Sequence, residues 1–251
     1  MPKLIILGTS NAIPDRDHDN THLAVIGEET FLLIDTASNP TIRLPQAGLD
    51  PLKLNRLILT HFHPDHTAGV PALFMNSWLS GRKDALDVYG LADTLQRVEK
   101  TMQLYQWESW PKFFPVKFHN LPAEEKALAF DSADFTVVVS TVRHMIPVIA
   151  VRIESHSTGK VVVYSSDTEP CPEIVRLAAG ADLLLHEASG AGYGHSSAAQ
   201  AGEVARQAGV GALFLIHYPT GGFDPQPLVE QASQSFGGPV TLCCDFMELD
   251  F

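Results

Sequence analysis

Short apolar runs broken by polar turns fill most of the chain, and helical periodicity is confined to a few longer stretches. Residues 3–7 form the first run, which enters the turn-forming group Gly8-Thr9-Ser10-Asn11 and a polar loop from Asp15 to Asn20. Residues 21–26 and 30–34, joined by Gly27-Glu28-Glu29, predict a hairpin that ends at Asp35. A short helix over 40–48 stops at Gly48, and Leu57-Ile58-Leu59 predicts the next strand. Helical spacing over 68–79, a strand over 86–89 and a helix over 91–104 follow. Further strands are predicted over 134–140, 148–154, 160–164, 182–185, 212–216 and 240–246, with helices over 172–179, 197–208 and 226–234. Two groups of strands with helices between them, no repeat and no long linker imply one domain over 1–251, an α/β fold of the four-layer αββα sandwich type.

The apolar runs end in a restricted set of polar residues. After 57–59 comes Thr60-His61-Phe62-His63-Pro64-Asp65-His66, three imidazoles and a carboxylate in close succession. Alternate residues of an extended chain share a face, so His61 and His63 point together, and the Pro64 turn brings Asp65 and His66 back toward them. Imidazole nitrogen and carboxylate oxygen suit zinc, and an open catalytic site keeps about three protein ligands per ion. Four donors this close exceed the need of one ion, which implies two. Asp35, His144, Asp167 and His217 follow other strands. Taken singly, each reads as a helix cap or a hydrogen-bonded structural residue. Five strand ends that supply only His and Asp are what a metal site at one edge of a sandwich requires.

Composition narrows the classes of function. With 45% apolar and 18% charged residues the balance is that of a globular protein, and the net charge of −12 argues against an extended nucleic-acid groove. No run reaches the roughly 20 apolar residues of a membrane span. The amino end is too short in apolar residues for a signal peptide, and Cys171, Cys243 and Cys244 form no disulfide framework, so the expected compartment is the cytoplasm. Residues 105–118 gather Trp107, Trp110, Phe113 and Phe114. These could line a substrate pocket, form the contact of a homodimer, or pack on the core.

The segment THFHPDHTAG resembles the HxHxDH signature of the metallo-β-lactamase superfamily. Within it, Gly8-Thr9-Ser10, His186-Glu187-Ala188-Ser189 and Gly194-His195-Ser196-Ser197 are similar to motifs of the ribonuclease Z branch. The resemblance implies His61, His63 and His144 on one metal, Asp65, His66 and His217 on the second, and Asp167 bridging both. It further implies that Asp35 orients a ligand and that His195 faces the substrate, as anion stabiliser or proton donor, with Asp65 and His195 carrying the catalytic roles. Two divalent transition-metal ions, zinc ahead of manganese or iron, would share a hydroxide that attacks the substrate. The expected substrate is a small anionic ester, a phosphodiester or aryl sulfate, with a lactone or carboxyl ester as the alternative and a metal-stabilised scaffold without turnover last. The branch's long basic arm has no counterpart, because one hairpin takes up the stretch between His144 and Asp167. Together with the negative charge, this disfavours a nucleic-acid partner and tRNA 3′ processing.

Overall fold

The apolar runs pair into two facing seven-stranded sheets in a computed structural model, which describes residues 1–251. The first sheet opens with β1 (Lys3–Gly8), β2 (His22–Ile26) and β3 (Phe31–Ile34), which are antiparallel. It continues with β4 (Arg56–Ile58), β5 (Leu86–Leu91) and β6 (Val116–Leu121), all parallel to β3. The second sheet repeats this plan. β7 (Ala127–Asp131), β8 (Phe135–Val142), β9 (Val148–Ser155) and β10 (Val161–Tyr164) are antiparallel. β11 (Leu183–Glu187), β12 (Ala212–Ile216) and β13 (Val240–Leu242) then run parallel to β10. β14 (Glu248–Asp250) returns to the first sheet beside β1.

Strand alternation sorts the side chains into three apolar layers. On β8, Phe135, Val137 and Val139 face the first sheet and meet Leu4, Ile6 and Leu23 in a core that both sheets share. Outside the first sheet lie α1 (Pro40–Gln46), the single turn α2 (Pro64–Thr67), α3 (Val70–Leu79) and α4 (Ala92–Leu104). Outside the second lie α5 (Pro172–Ala178), α6 (Ala198–Ala208) and α7 (Gln226–Phe236). The result is the expected αββα sandwich. No helix is long and apolar enough to cross a membrane.

Several elements depart from the sequence reading. β6 carries Lys117, His119 and Asn120 and fully buries only Leu121, so an edge position leaves it no apolar signature. β7 and β14 are likewise edge strands without a run of their own. The strand expected over 240–246 stops at Leu242, because the chain turns through Phe246 at φ 66°. That turn is clasped: Arg43 lies over the Phe246 ring at 4.1 Å and pairs with Asp245, which also accepts from Thr9 Oγ1 at 2.7 Å and Asp19 N at 2.9 Å. The clasp fixes the polar loop after β1 against α1 and the carboxy-terminal tail. His186 and Glu187 lie inside β11 rather than beyond it.

Away from these loops, Asp134 joins the two sheets. Its carboxylate accepts the backbone N–H groups of Glu28, Glu29 and Thr30 at 3.0, 2.9 and 2.7 Å, closing the β2–β3 turn. Burial opposes its ionisation, but these donors outweigh it and hold the carboxyl below its ordinary value. The stabilisation is therefore present above the ordinary carboxylate range and lost as pH falls through the depressed value. We expect Asp134→Ala to cost about 1–3 kcal/mol in urea unfolding at neutral pH, with the difference from wild type shrinking in acid. An unchanged midpoint at neutral pH would count against this link.

Candidate metal centre

The ends of β3, β4, β10 and β12, with the turn after β8, meet at one edge of the sandwich. β3 hands over to Asp35 at φ 63°, Ser166 at φ 52° precedes Asp167, and β12 hands over to His217 at φ 52°. Non-glycine residues in this left-handed region carry strain of about 1–3 kcal/mol each and cluster at functional sites. α2 starts on Pro64, which suits a first helical turn because the missing N–H would be unpaired there anyway. The following residues of that turn are the donors Asp65 and His66.

All seven sequence-predicted donors come together, in two groups that share Asp167. In the first, His63 Nδ1 lies 3.1 Å from both His61 Nε2 and His144 Nε2, and Asp167 Oδ2 lies 3.8 Å from those two nitrogens. In the second, His66 Nε2 lies 3.5 Å from Asp65 Oδ2 and 3.4 Å from Asp167 Oδ1. His217 Nε2 lies 3.3 Å from the same Asp167 oxygen and 3.9 Å from Asp65 Oδ2. A tetrahedral ion with bonds of about 2.0–2.1 Å holds its donors about 3.3–3.4 Å apart, close to this spacing. His66 Nε2 and Asp167 Oδ1 are moreover buried with no hydrogen-bond partner, a costly condition that a cation between them relieves. The donor set fits divalent metal.

The outer partners fix which nitrogen is free to bind. His66 donates through Nδ1 to Asp35 Oδ2 at 2.8 Å, and His144 through Nδ1 to the Gly194 carbonyl at 2.6 Å. Thr60 Oγ1 and its backbone N–H donate to the two oxygens of Asp35, each at 2.8 Å, leaving a hydroxyl lone pair for His61 Nδ1 at 3.1 Å. Thr21 Oγ1 likewise donates to the Ser10 carbonyl and accepts from His217 Nδ1 at 3.1 Å. Each Nε2 lone pair therefore points into the centre, and Asp35 sets two of the four.

The electrostatics favour bound cations. Burial holds His61, His63 and His144 below the ordinary imidazole value, in the neutral form that binds metal. His66 goes the other way: burial lowers it, but the Asp167 and Asp35 carboxylates outweigh burial and raise it well above. For Asp167, burial is outweighed by His217 and His66, which hold its carboxyl well below the ordinary range. The buried Tyr164 hydroxyl is pushed well up by desolvation and by Asp35, Asp167, Glu187 and Asp65 around it. Negative charge is thus concentrated where the free lone pairs converge.

His195 sits beside this centre, its ring 4.8 Å from that of His144 and stacked 6.1 Å from that of His217. Its Nδ1 donates to Glu187 Oε1 at 2.8 Å. The same buried carboxylate accepts from the backbone N–H groups of Thr168, Ser189 and Ser196. Burial lowers the basicity of His195, and Glu187 more than restores it, so the net shift is upward. The Ser197–Gln200 capping box starts α6 directly after this segment and fixes its exit. The sequence did not reveal the roles of Glu187, Thr60 and Thr21. Glu187 and Thr60 lie inside or beside the recognisable motifs, whereas nothing local marks Thr21.

The four aromatics offered as substrate-facing pack on one another and on the outer layer of the first sheet, with only Phe114 fully buried. Trp110 stacks on Trp78 at 5.0 Å, Trp107 on Phe74 at 5.9 Å, and Phe113 contacts all three tryptophans. Phe114 is buried in the same outer layer, beneath Arg82. An aromatic-rich loop beside an aromatic helix face buries itself there, which puts it among the helices outside the first sheet.

Residues 25–218 match the family described as a β-lactamase superfamily domain. A ribonuclease Z of Methanothermobacter thermautotrophicus is 27% identical over 98% of this chain and 95% of its own length. Another, of Pyrobaculum neutrophilum, is 30% identical over 86% of each. Among solved structures, a metallo-β-lactamase fold protein of Bacillus subtilis superposes with a TM-score of 0.82 at 22% identity, covering 99% of this chain and 98% of that one. The short form of human tRNase Z gives 0.79 at 23% identity with the same coverage. The chain belongs to the β-lactamase superfamily, in its ribonuclease Z-like branch. It is a metal-dependent hydrolase, and its His/Asp groups are suited to divalent metal.

Because Asp35 orients two imidazoles at once, Asp35→Ala should weaken metal binding about 10- to 100-fold in chelator competition. Unaltered affinity would show that the two imidazoles hold their orientation without it.

Proposed function

We propose that residues 1–251 act as one hydrolase domain that binds two divalent transition-metal ions, zinc first, and cleaves a phosphodiester. His61, His63 and His144 would hold one ion, Asp65, His66 and His217 the other, and Asp167 both. The observation that carries this reading is Asp167, whose Oδ2 and Oδ1 face separate donor groups at 3.8 and 3.3 Å. When bound, such a metal pair supplies an acidified water as nucleophile and positive charge against the phosphoryl oxygens.

The remaining work falls to the chain's own residues. Asp35 keeps the His61 and His66 imidazoles in the ligand tautomer. Asp65, at 11% side-chain exposure the most open member of its group, takes up the proton of the attacking water. His195, oriented by its Nδ1 hydrogen bond to Glu187, gives a proton to the leaving oxygen.

A small diester is favoured by the net charge of −12 and by the tight hairpin of β9 and β10, which leaves no basic arm to hold RNA phosphates. The alignment with the Methanothermobacter enzyme runs over 300 residues against 251 in this chain, so that relative carries segments missing here. RNA is the second reading, supported by relatives named ribonuclease Z. Three free cysteines, two of them buried, favour the cytoplasm.

Zinc-loaded protein should hydrolyse bis-p-nitrophenyl phosphate, and on a diester with an unactivated alkoxide leaving group His195→Ala should lower kcat about 100-fold or more with metal content unchanged. Loss of metal in that variant would make His195 a ligand instead. In a panel of cyclic nucleotides, aryl sulfates, lactones and precursor tRNA, turnover confined to lactones would overturn the phosphodiester reading. Efficient 3′ trimming of the tRNA would replace the small diester with RNA.

A further inference from the structure

We infer that Glu169 is a positioning residue that locks the metal ligand His144 and the proton donor His195 to each other through the backbone of Gly194. The inference rests on the dinuclear hydrolase reading above and gives a role to a residue outside its motifs.

Glu169 lies two positions beyond Asp167 and reaches two other parts of the centre at once. Its backbone N–H donates to the carbonyl of Arg143, the residue before His144, at 2.8 Å. Its Oε1 accepts the N–H of Gly194, the residue before His195, at 2.8 Å. Gly194 in turn offers its carbonyl to His144 Nδ1 at 2.6 Å. The bonds close a ring: Glu169 to Arg143, along the chain to His144, across to Gly194, and back to the Glu169 carboxylate. Without the carboxylate the ring opens at one point only, the N–H that fixes where the Gly194 carbonyl stands.

Gly194 is built for this position. It sits at φ +82°, and a Cβ there would fall 2.7 Å from His144 Nδ1 and 3.2 Å from Met145 N. A side chain is therefore excluded at the point where the loop touches the ligand, and the loop is otherwise weakly anchored. It runs Gly190-Ala191-Gly192-Tyr193-Gly194, with Tyr193 77% exposed. Its internal ties are His195 N to the Gly192 carbonyl at 3.2 Å and Gly190 N to the Ser196 carbonyl at 3.0 Å. A glycine-rich loop with so few ties needs an external acceptor to hold one carbonyl in a fixed place. Glu187 fixes the ring of His195, but Gly194 N–H donates to Glu169 instead. The two glutamates therefore act on different parts of one segment. Glu187 sets the tautomer of the proton donor, while Glu169 sets the loop that carries it and the partner of His144.

The test compares wild type, Glu169→Ala and Glu169→Gln by zinc titration against a chromophoric chelator, with kcat and KM measured on bis-p-nitrophenyl phosphate and melting temperature alongside. Wild type should bind two ions in two steps. Glu169→Ala should weaken one step about 10-fold or more, leave the other in place, and lower kcat with little change in KM. Glu169→Gln should recover most of both, since its amide oxygen still accepts from Gly194. If Glu169→Ala binds zinc and turns over like wild type, the inference is wrong while the dinuclear reading stands. Equal weakening of both steps with a lowered melting temperature would make Glu169 merely structural and overturn the inference. A Gln variant as poor as Ala would overturn the hydrogen bond as the cause and put charge in its place. A wild type that binds no zinc would overturn the dinuclear reading and this inference together.

Discussion

Buried negative charge is the constraint on which the rest of this structure depends. Asp35, Asp167 and Glu187 are at most 2% exposed at one edge of the sandwich, and Asp65 joins them at the mouth. Carboxylates taken out of water are expensive unless something positive or a set of donors meets each oxygen. Glu187 is satisfied by His195 and three backbone N–H groups, and Asp35 by Thr60 and His66. Asp167 is not: Oδ1 has no hydrogen-bond partner, and the imidazole nitrogens around it are not aligned to donate to it. A shell arranged so that its central carboxylate is left for something else is a shell shaped around cations.

The fold supplies that arrangement through its two parallel halves. β3 and β4 in one sheet, and β10, β11 and β12 in the other, run side by side, so their carboxyl ends open onto a common edge. Donor segments leave from these ends, and the strained φ angles at Asp35, Ser166 and His217 show how sharply the chain turns to present them. Rigid strands beneath and hydrogen-bonded partners behind keep the donors within the narrow tolerance that metal chemistry demands.

Much of this was legible because the informative signals are local. The run from Thr60 to His66 is a metal motif on its face, and the apolar strands that deliver Asp35, Asp167 and His217 are short, unbroken and bounded by polar turns. Edge strands such as β6 and β7 escaped because they bury little and so carry no apolar period. The acceptors that set each tautomer escaped for a different reason. Thr21 meets His217 and Gly194 meets His144 across long stretches of sequence, and neither residue type announces such a role. The aromatic segment showed the limit of composition: its residues suited a pocket, a contact or a core equally, and their packing against Phe74 and Trp78 is a tertiary arrangement that composition does not carry.

The central claim is that one buried carboxylate divides its two oxygens between two cations. An anomalous difference map from crystals of the zinc-loaded protein tests it directly. The account predicts two peaks, one on each side of Asp167, the first among His61, His63 and His144 and the second among Asp65, His66 and His217. A single peak, or a map in which Asp167 turns away from the imidazoles, would contradict it.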